Sequence, residues 1–143
     1  MPKRILVPLD DTESSEQIVP VVAALAAGAG SSVRLLRVAP VPDLVIGSHG
    51  RPVAYSDQQM DRLTAEGLRD LGRSEAHFTG VPVESTVRFG DPVEEILLES
   101  EAFEADLIAL ATSSRSGLRS ALAPSVADRV MRKASVPALV LRV

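Results

Sequence analysis

Short runs of branched apolar residues alternate along this chain with longer stretches of helical periodicity. That pattern admits few folds. Strands joined through helices pair in parallel by right-handed crossovers, and the resulting sheet is covered on both faces. The expectation is α/β: a doubly wound, five-stranded parallel sheet with helices on both faces, one domain over residues 1–143. A chain of 143 residues has the size of one domain with one core. Hydrophobic residues make up 45% and aromatics only 3%, so Val, Leu, Ile and Ala must fill that core.

Strand one is Ile5-Leu6-Val7-Pro8-Leu9. A helix is expected over 14–29, where Ile18, Val22, Leu25, Ala26 and Ala29 share a face. Ser14 and Gln17 have capping-box spacing, and Pro20 should kink its second turn. Strand two is Ser32–Val38. Residues 40–54, with three prolines and two glycines, read as a loop. Helix two is expected over 56–78, with Met60, Leu63, Gly67, Leu71 and Phe78 near one face. Strand three, Val83–Phe89, alternates and is less apolar, as an edge strand is. Asp91-Pro92-Val93-Glu94 starts helix three with an N-cap, a first-position proline and a box partner, and that helix ends near Glu104. Strand four is Asp106–Ala111, and 112–123 is a loop. Helix four runs to about Ala134, with Val126, Ala127, Val130, Met131 and Ala134 as its buried stripe. Pro137–Val143 is strand five.

Composition excludes several roles. The net charge is −4 with both signs interspersed, so no nucleic-acid partner is expected. No apolar stretch reaches the roughly 18 residues of a membrane span. There is no cysteine, which rules out disulfides and thiolate metal sites and fits a reducing compartment. Met1–Ile5 runs straight into strand one and leaves no room for a signal peptide, so a cytoplasmic protein is expected.

Parallel sheets of this class bind ligands beyond the carboxyl ends of their strands. Asp10-Asp11 follows strand one and is either a solvated acidic turn or a holder of a divalent cation, as in response-regulator receivers. A receiver also needs an Asp directly after strand three and a Lys ending strand five. Here strand three ends in Arg88-Phe89-Gly90, and strand five has no Lys. Gly47-Ser48-His49-Gly50-Arg51 looks like a phosphate loop, but no helix follows to point its dipole at an anion. His49 and His77 have no ligand-like neighbours, so no metal site is expected.

The third candidate is the loop after strand four. Leu107–Leu118, Ala123–Val130 and Ser135–Leu141 resemble the C-terminal half of the universal stress protein family. Ile5–Asp10, Leu35–Val38 and Gly90-Asp91-Pro92 resemble its first strand, second strand and third turn. The resemblance covers nearly the whole chain and implies the sheet order 3-2-1-4-5, with the ligand crevice between strands one and four. It also implies that Asp10 is the acid near a ribose and that the backbone of Val38 meets an adenine. Nucleotide-binding members carry Gly-x2-Gly-x9-Gly-Ser/Thr, in which glycines let successive N–H groups cradle phosphate. In register this chain has Ala111, Ser114, Pro124 and Ser125, followed by Val126. The spacing is intact and all three glycines are gone. Ala111 adds a methyl where backbone should approach, and Ser114 at positive φ costs about 1–2 kcal/mol. Pro124 removes an N–H worth about 1.5–3 kcal/mol to a charged ligand, a factor of roughly ten to a hundred in affinity. Ser125 and Arg115 remain to face an anion. Equally, Ser125 caps the helix together with Asp128, and Arg115 is a solvated loop residue.

The expectation is therefore a dimeric regulatory or protective domain of that family with weak or lost ATP binding and no cofactor. The alternative is an adenine-nucleotide binder with an atypical phosphate loop. No Walker loop, nucleophile elbow or Ser-Gly-Gly-x-Asp-Ser loop is present, so no enzyme is expected. Strand five carries Val136, Ala138, Leu139, Val140, Leu141 and Val143, and the resemblance puts it at a sheet edge. An apolar edge has to be blocked or paired, and a homodimer through this strand is expected.

Overall fold

The computed structural model describes residues 3–42, 52–113 and 123–143, with only the backbone of 52–56. Its strands are β1 (Arg4–Pro8), β2 (Ser32–Ala39), β3 (Val83–Phe89), β4 (Leu107–Thr112) and β5 (Ala138–Arg142). Its helices are α1 (Ile18–Ala29), α2 (Pro52–Glu75), α3 (Pro92–Phe103) and α4 (Pro124–Lys133). All strand pairs are parallel, and the order is β3-β2-β1-β4-β5. The α/β class and the order implied by the resemblance both hold.

Strand β1 lies at the centre, and its alternation feeds two cores. Ile5, Val7 and Leu9 point to one face, where they meet Ile18, Val22 and Ala26 of α1 and Leu71 of α2. Leu6 points to the other with Leu36, Ile108 and Leu110, under Val93, Ile96 and Phe103 of α3 and Ala127 and Val130 of α4. Burial on both faces is why these runs are continuously apolar rather than alternating.

Several local expectations change. The first helix splits into a single 3-10 turn, Ser15–Gln17, and then α1. Ser14 sits in helical conformation and caps nothing, so the Ser14/Gln17 box does not form. Pro20 is thereby the third residue of α1, in the turn whose N–H groups have no intrahelical acceptor, and it does not fall in a second turn. Helix α2 begins at Pro52, a residue whose fixed φ suits a first helical position, and ends at Glu75. The loop is thus shorter than 40–54, and Phe78 lies beyond the helix though still buried. Met131 was expected in the buried stripe of α4 but is 46% exposed, because α4 turns only Ala127 and Val130 fully inward. The start of α3 forms as expected, with Asp91 Oδ2 accepting from the Glu94 N–H at 3.0 Å.

Gly67 sets the approach of α2 to the sheet. A Cβ there would stand 2.9 Å from Val87 Cγ2 and 3.6 Å from Arg37 Cγ.

Candidate functional site

Strand order reverses between β2 and β4, on either side of β1, so the crevice opens beyond the carboxyl ends of β1 and β4. Past β1 the chain closes a hydrogen-bonded turn. Asp10 Oδ1 accepts from the Thr12 N–H at 2.8 Å and from the Thr12 hydroxyl. The Asp10 N–H donates to Ser15 Oγ at 3.1 Å, and the Ser15 N–H donates to Thr12 Oγ1 at 3.3 Å. Ser15 is fully buried and anchors the turn. This leaves Oδ2 of half-buried Asp10 without a protein donor among the described residues, so one carboxylate oxygen is available to a hydroxyl.

Val38 pairs with Arg88 on the β3 side of β2. The Leu9 N–H donates to the Leu36 carbonyl at 2.8 Å, and the Gly90 N–H to the Ala39 carbonyl at 2.9 Å. Backbone groups of alternate strand residues point to the same edge, so Val38 directs its N–H and C=O where Leu36 does, toward the space beyond the end of β1. A donor and an acceptor side by side suit the edge of an adenine.

The phosphate side is different. Ala111 is fully buried and belongs to the core on the α1 face. Strand alternation turns its methyl into packing, so the methyl does not stand in the crevice as expected from the sequence. Pro124 is the first residue of α4, and Ala123 is the N-cap. Ser125 follows at the second position and is not the cap, because the chain enters the helix one residue earlier than the Ser125/Asp128 box requires. The Val126 and Ala127 N–H groups both donate to the Ala123 carbonyl, at 2.9 and 3.2 Å. The Ser125 N–H has no acceptor among the described residues. Pro124 and Ser125 are exposed, and Val126 is half-buried. Ser114, Arg115 and Gly47–Arg51 lie outside the described residues. His77 is exposed just after α2, and among the described residues no group of three or more His, Asp or Glu could hold a metal.

The most buried carboxylate among the described residues lies elsewhere. Glu99 of α3, 4% exposed, receives Arg34 through one oxygen and Arg88 through the other, the latter at 2.8 Å. Arg34 also binds Glu84, and Arg88 binds Glu95 at 2.8 Å. Desolvation opposes the Arg34 charge, but hydrogen bonds to Glu84 and Glu99 outweigh it and raise the pKa above the usual arginine value. For Arg88, hydrogen bonds to Glu95 and Glu99 raise it outright. Arg34 stacks 4.3 Å from the Phe103 ring centre. This network ties the β2–β3 flank to α3.

Sequence patterns missed Thr12, Ser15 and Arg37 around Asp10. The available signal was Arg37 itself, a cation set within the apolar run Leu35–Val38.

This fold has known counterparts. Residues 1–142 match the model of the universal stress protein family. The chain belongs to the universal stress protein family. It is 29% identical over 143 residues to universal stress protein MJ0531 of Methanocaldococcus jannaschii, covering 98% of this chain and 82% of that protein. It superposes on the structure of the hypothetical protein MJ0577 with a TM-score of 0.78 at 24% identity, covering 99% and 96% of the two chains. A universal stress protein solved in complex with cAMP matches with a TM-score of 0.65 at 16% identity, covering 99% and 97%.

Proposed function

We propose that this chain is a homodimeric regulatory or protective stress domain in which ATP binding is weak or lost and no substrate is turned over. The observation that carries this is Pro124 at the first position of α4. A glycine there would add an N–H next to that of Ser125. Proline offers none and puts its ring in that place. A cytoplasmic location fits a chain without cysteine.

Dimerisation through β5 is supported by an asymmetry between the two sheet edges. On the α3 side, β3 carries Glu84 and Arg88, a polar, ion-paired flank suited to water. On the α1 side, β5 carries Leu139 and Leu141 and is followed by Val143, each only half-buried. Beside them a largely apolar groove of about 730 Å³ runs between Leu25 of α1 and Leu107, Pro137, Ala138 and Leu139, with Lys3 and Asp106 at its edge. Antiparallel pairing of β5 with its copy about a two-fold axis would satisfy both edges, with Val136, Val140 and the residues just named near the contact.

A second interpretation, adenine-nucleotide binding with an atypical phosphate loop, is favoured by the open Val38 backbone and the free Asp10 oxygen. The cAMP complex of a structural neighbour fits the same ligand chemistry. Titration calorimetry with ATP and magnesium separates the two. The expected result is no binding, or a dissociation constant well above micromolar, with clear gain in the variant Ser114→Gly, Pro124→Gly. Tight binding by the wild type refutes the weakened site and leaves the second interpretation standing.

A further inference from the structure

Arg37 lies next to Val38 on β2, but strand alternation sends its side chain to the α1/α2 face. There the guanidinium is 15% exposed and reaches two groups. Nη2 donates to the backbone carbonyl of Asp10 at 3.1 Å, and Nη1 meets Asp70 of α2 at 3.4 Å. Asp70 is itself held by Arg73 at 2.6 Å. The Nε–H is buried and has no acceptor among the described residues. A buried donor left unpaired is costly and rare, so this guanidinium is held by what its terminal nitrogens bind rather than by full satisfaction. The other hydrogen bonds described for the Asp10–Ser15 turn are local, made within it or by the backbone N–H groups of Glu16, Gln17 and Ile18 that continue it into the helix. Among the described residues, Arg37 is the one side chain from outside it that grips its backbone, across 27 residues of sequence.

We propose that Arg37 is the positioning residue of the candidate adenine site: by fixing the Asp10 carbonyl it sets the plane of the turn and keeps Asp10 Oδ2 turned outward for a ribose hydroxyl. This rests on the adenine-binding interpretation above. The same strand then presents both halves of the site, Val38 through its backbone and Asp10 through the arm of Arg37. The Arg37 stem passes beneath α2, with its Cγ 3.6 Å from where a Cβ on Gly67 would stand. Lysine retains the charge and one donor, whereas methionine retains only the apolar stem.

Two measurements on the full chain test this. The first is amide hydrogen exchange without ligand. In Arg37→Met the amides of Asp10, Thr12 and Ser15 should exchange faster by about tenfold, the equivalent of one lost hydrogen bond, while the β2–β3 ladder changes little. Arg37→Lys should restore most of the protection. Asp70→Asn, which loosens the anchor without touching the turn, should show a smaller rise, and it serves if Arg37→Met does not fold. The second is calorimetric titration with adenosine, whose affinity should fall about tenfold in Arg37→Met and recover in Arg37→Lys. Unchanged exchange in the turn, or a rise spread evenly over the ladder, overturns the proposal. So does a loosened turn with undiminished adenosine affinity. A wild type that ignores adenosine defeats the adenine interpretation, whereas the exchange of the unliganded turn still decides for or against the grip of Arg37.

Discussion

Helix α2 contains two glycines with opposite surroundings, which makes a controlled experiment. A Cβ added at Gly72 meets nothing within 4 Å, and the residue is exposed. Gly72→Ala should therefore gain only the helix-propensity difference, about 1 kcal/mol of stability. Gly67→Ala gains the same amount, but its methyl lands 2.9 Å from Val87 Cγ2. Val87 is branched at Cβ and stiff, and its strand is held to β2 with Val87 opposite Arg37, so the clash moves backbone. Overpacking of this kind costs about 1–3 kcal/mol, which leaves a net loss between about 0 and 2 kcal/mol. Urea unfolding reads both. With a slope of about 2 kcal/mol per molar, the midpoint should rise by about 0.5 M for Gly72→Ala and fall by up to about 1 M for Gly67→Ala. Combining Gly67→Ala with Val87→Ala should cost less than the two single changes summed, because the second removes what the first collides with. A Gly67→Ala protein stabilised as much as Gly72→Ala would refute the close packing of α2 on β3.

Glu104 closes α3 in the left-handed region at φ 55°, so Glu104→Gly should add about 1 kcal/mol in the same urea assay despite losing a distant, exposed contact with Arg4. Arg34→Met removes one support of buried Glu99 and should destabilise by about 1–3 kcal/mol, discounted because Arg88 remains and Arg34 is 23% exposed. The folded pKa of Arg34 is raised, so its contribution is fully present below the unfolded arginine value and is lost only as pH rises through the folded one. The stability difference between wild type and Arg34→Met should accordingly be equal at pH 7 and pH 10, and a difference that collapses by pH 10 would contradict the ion-pair geometry. Leu139→Arg places a charge in the β5 groove and should give a monomer or an insoluble chain by analytical ultracentrifugation, whereas an unperturbed dimer would exclude this interface.

What the sequence determined by itself was whatever depends on neighbours within a turn or two. The alternation of apolar runs with helical periodicity specified the α/β class, because burial on one or both faces leaves a period of its own. The Asp91 cap was legible for the same reason, since donor and acceptor stand three residues apart. The strand order and the places of Asp10 and Val38 came from the likeness of short motifs to a family, and the order holds in the structure. Tertiary structure decided the rest. Ser14 and Ser125 had the spacing of caps but do not cap, because Ser14 is itself in helical conformation and α4 starts one residue before Ser125, at Pro124. Met131 fits the apolar period of α4 yet faces outward, because the seating of α4 turns Ala127 and Val130 fully inward and leaves Met131 46% exposed. The methyl of Ala111 serves the core because its place in β4 turns it toward α1. The hold of Arg37 on Asp10 and of Glu99 on Arg34 and Arg88 could not be seen in sequence. These pairs lie 27, 65 and 11 residues apart, and strand register and the seating of α3 on β2 and β3 bring them within hydrogen-bond reach.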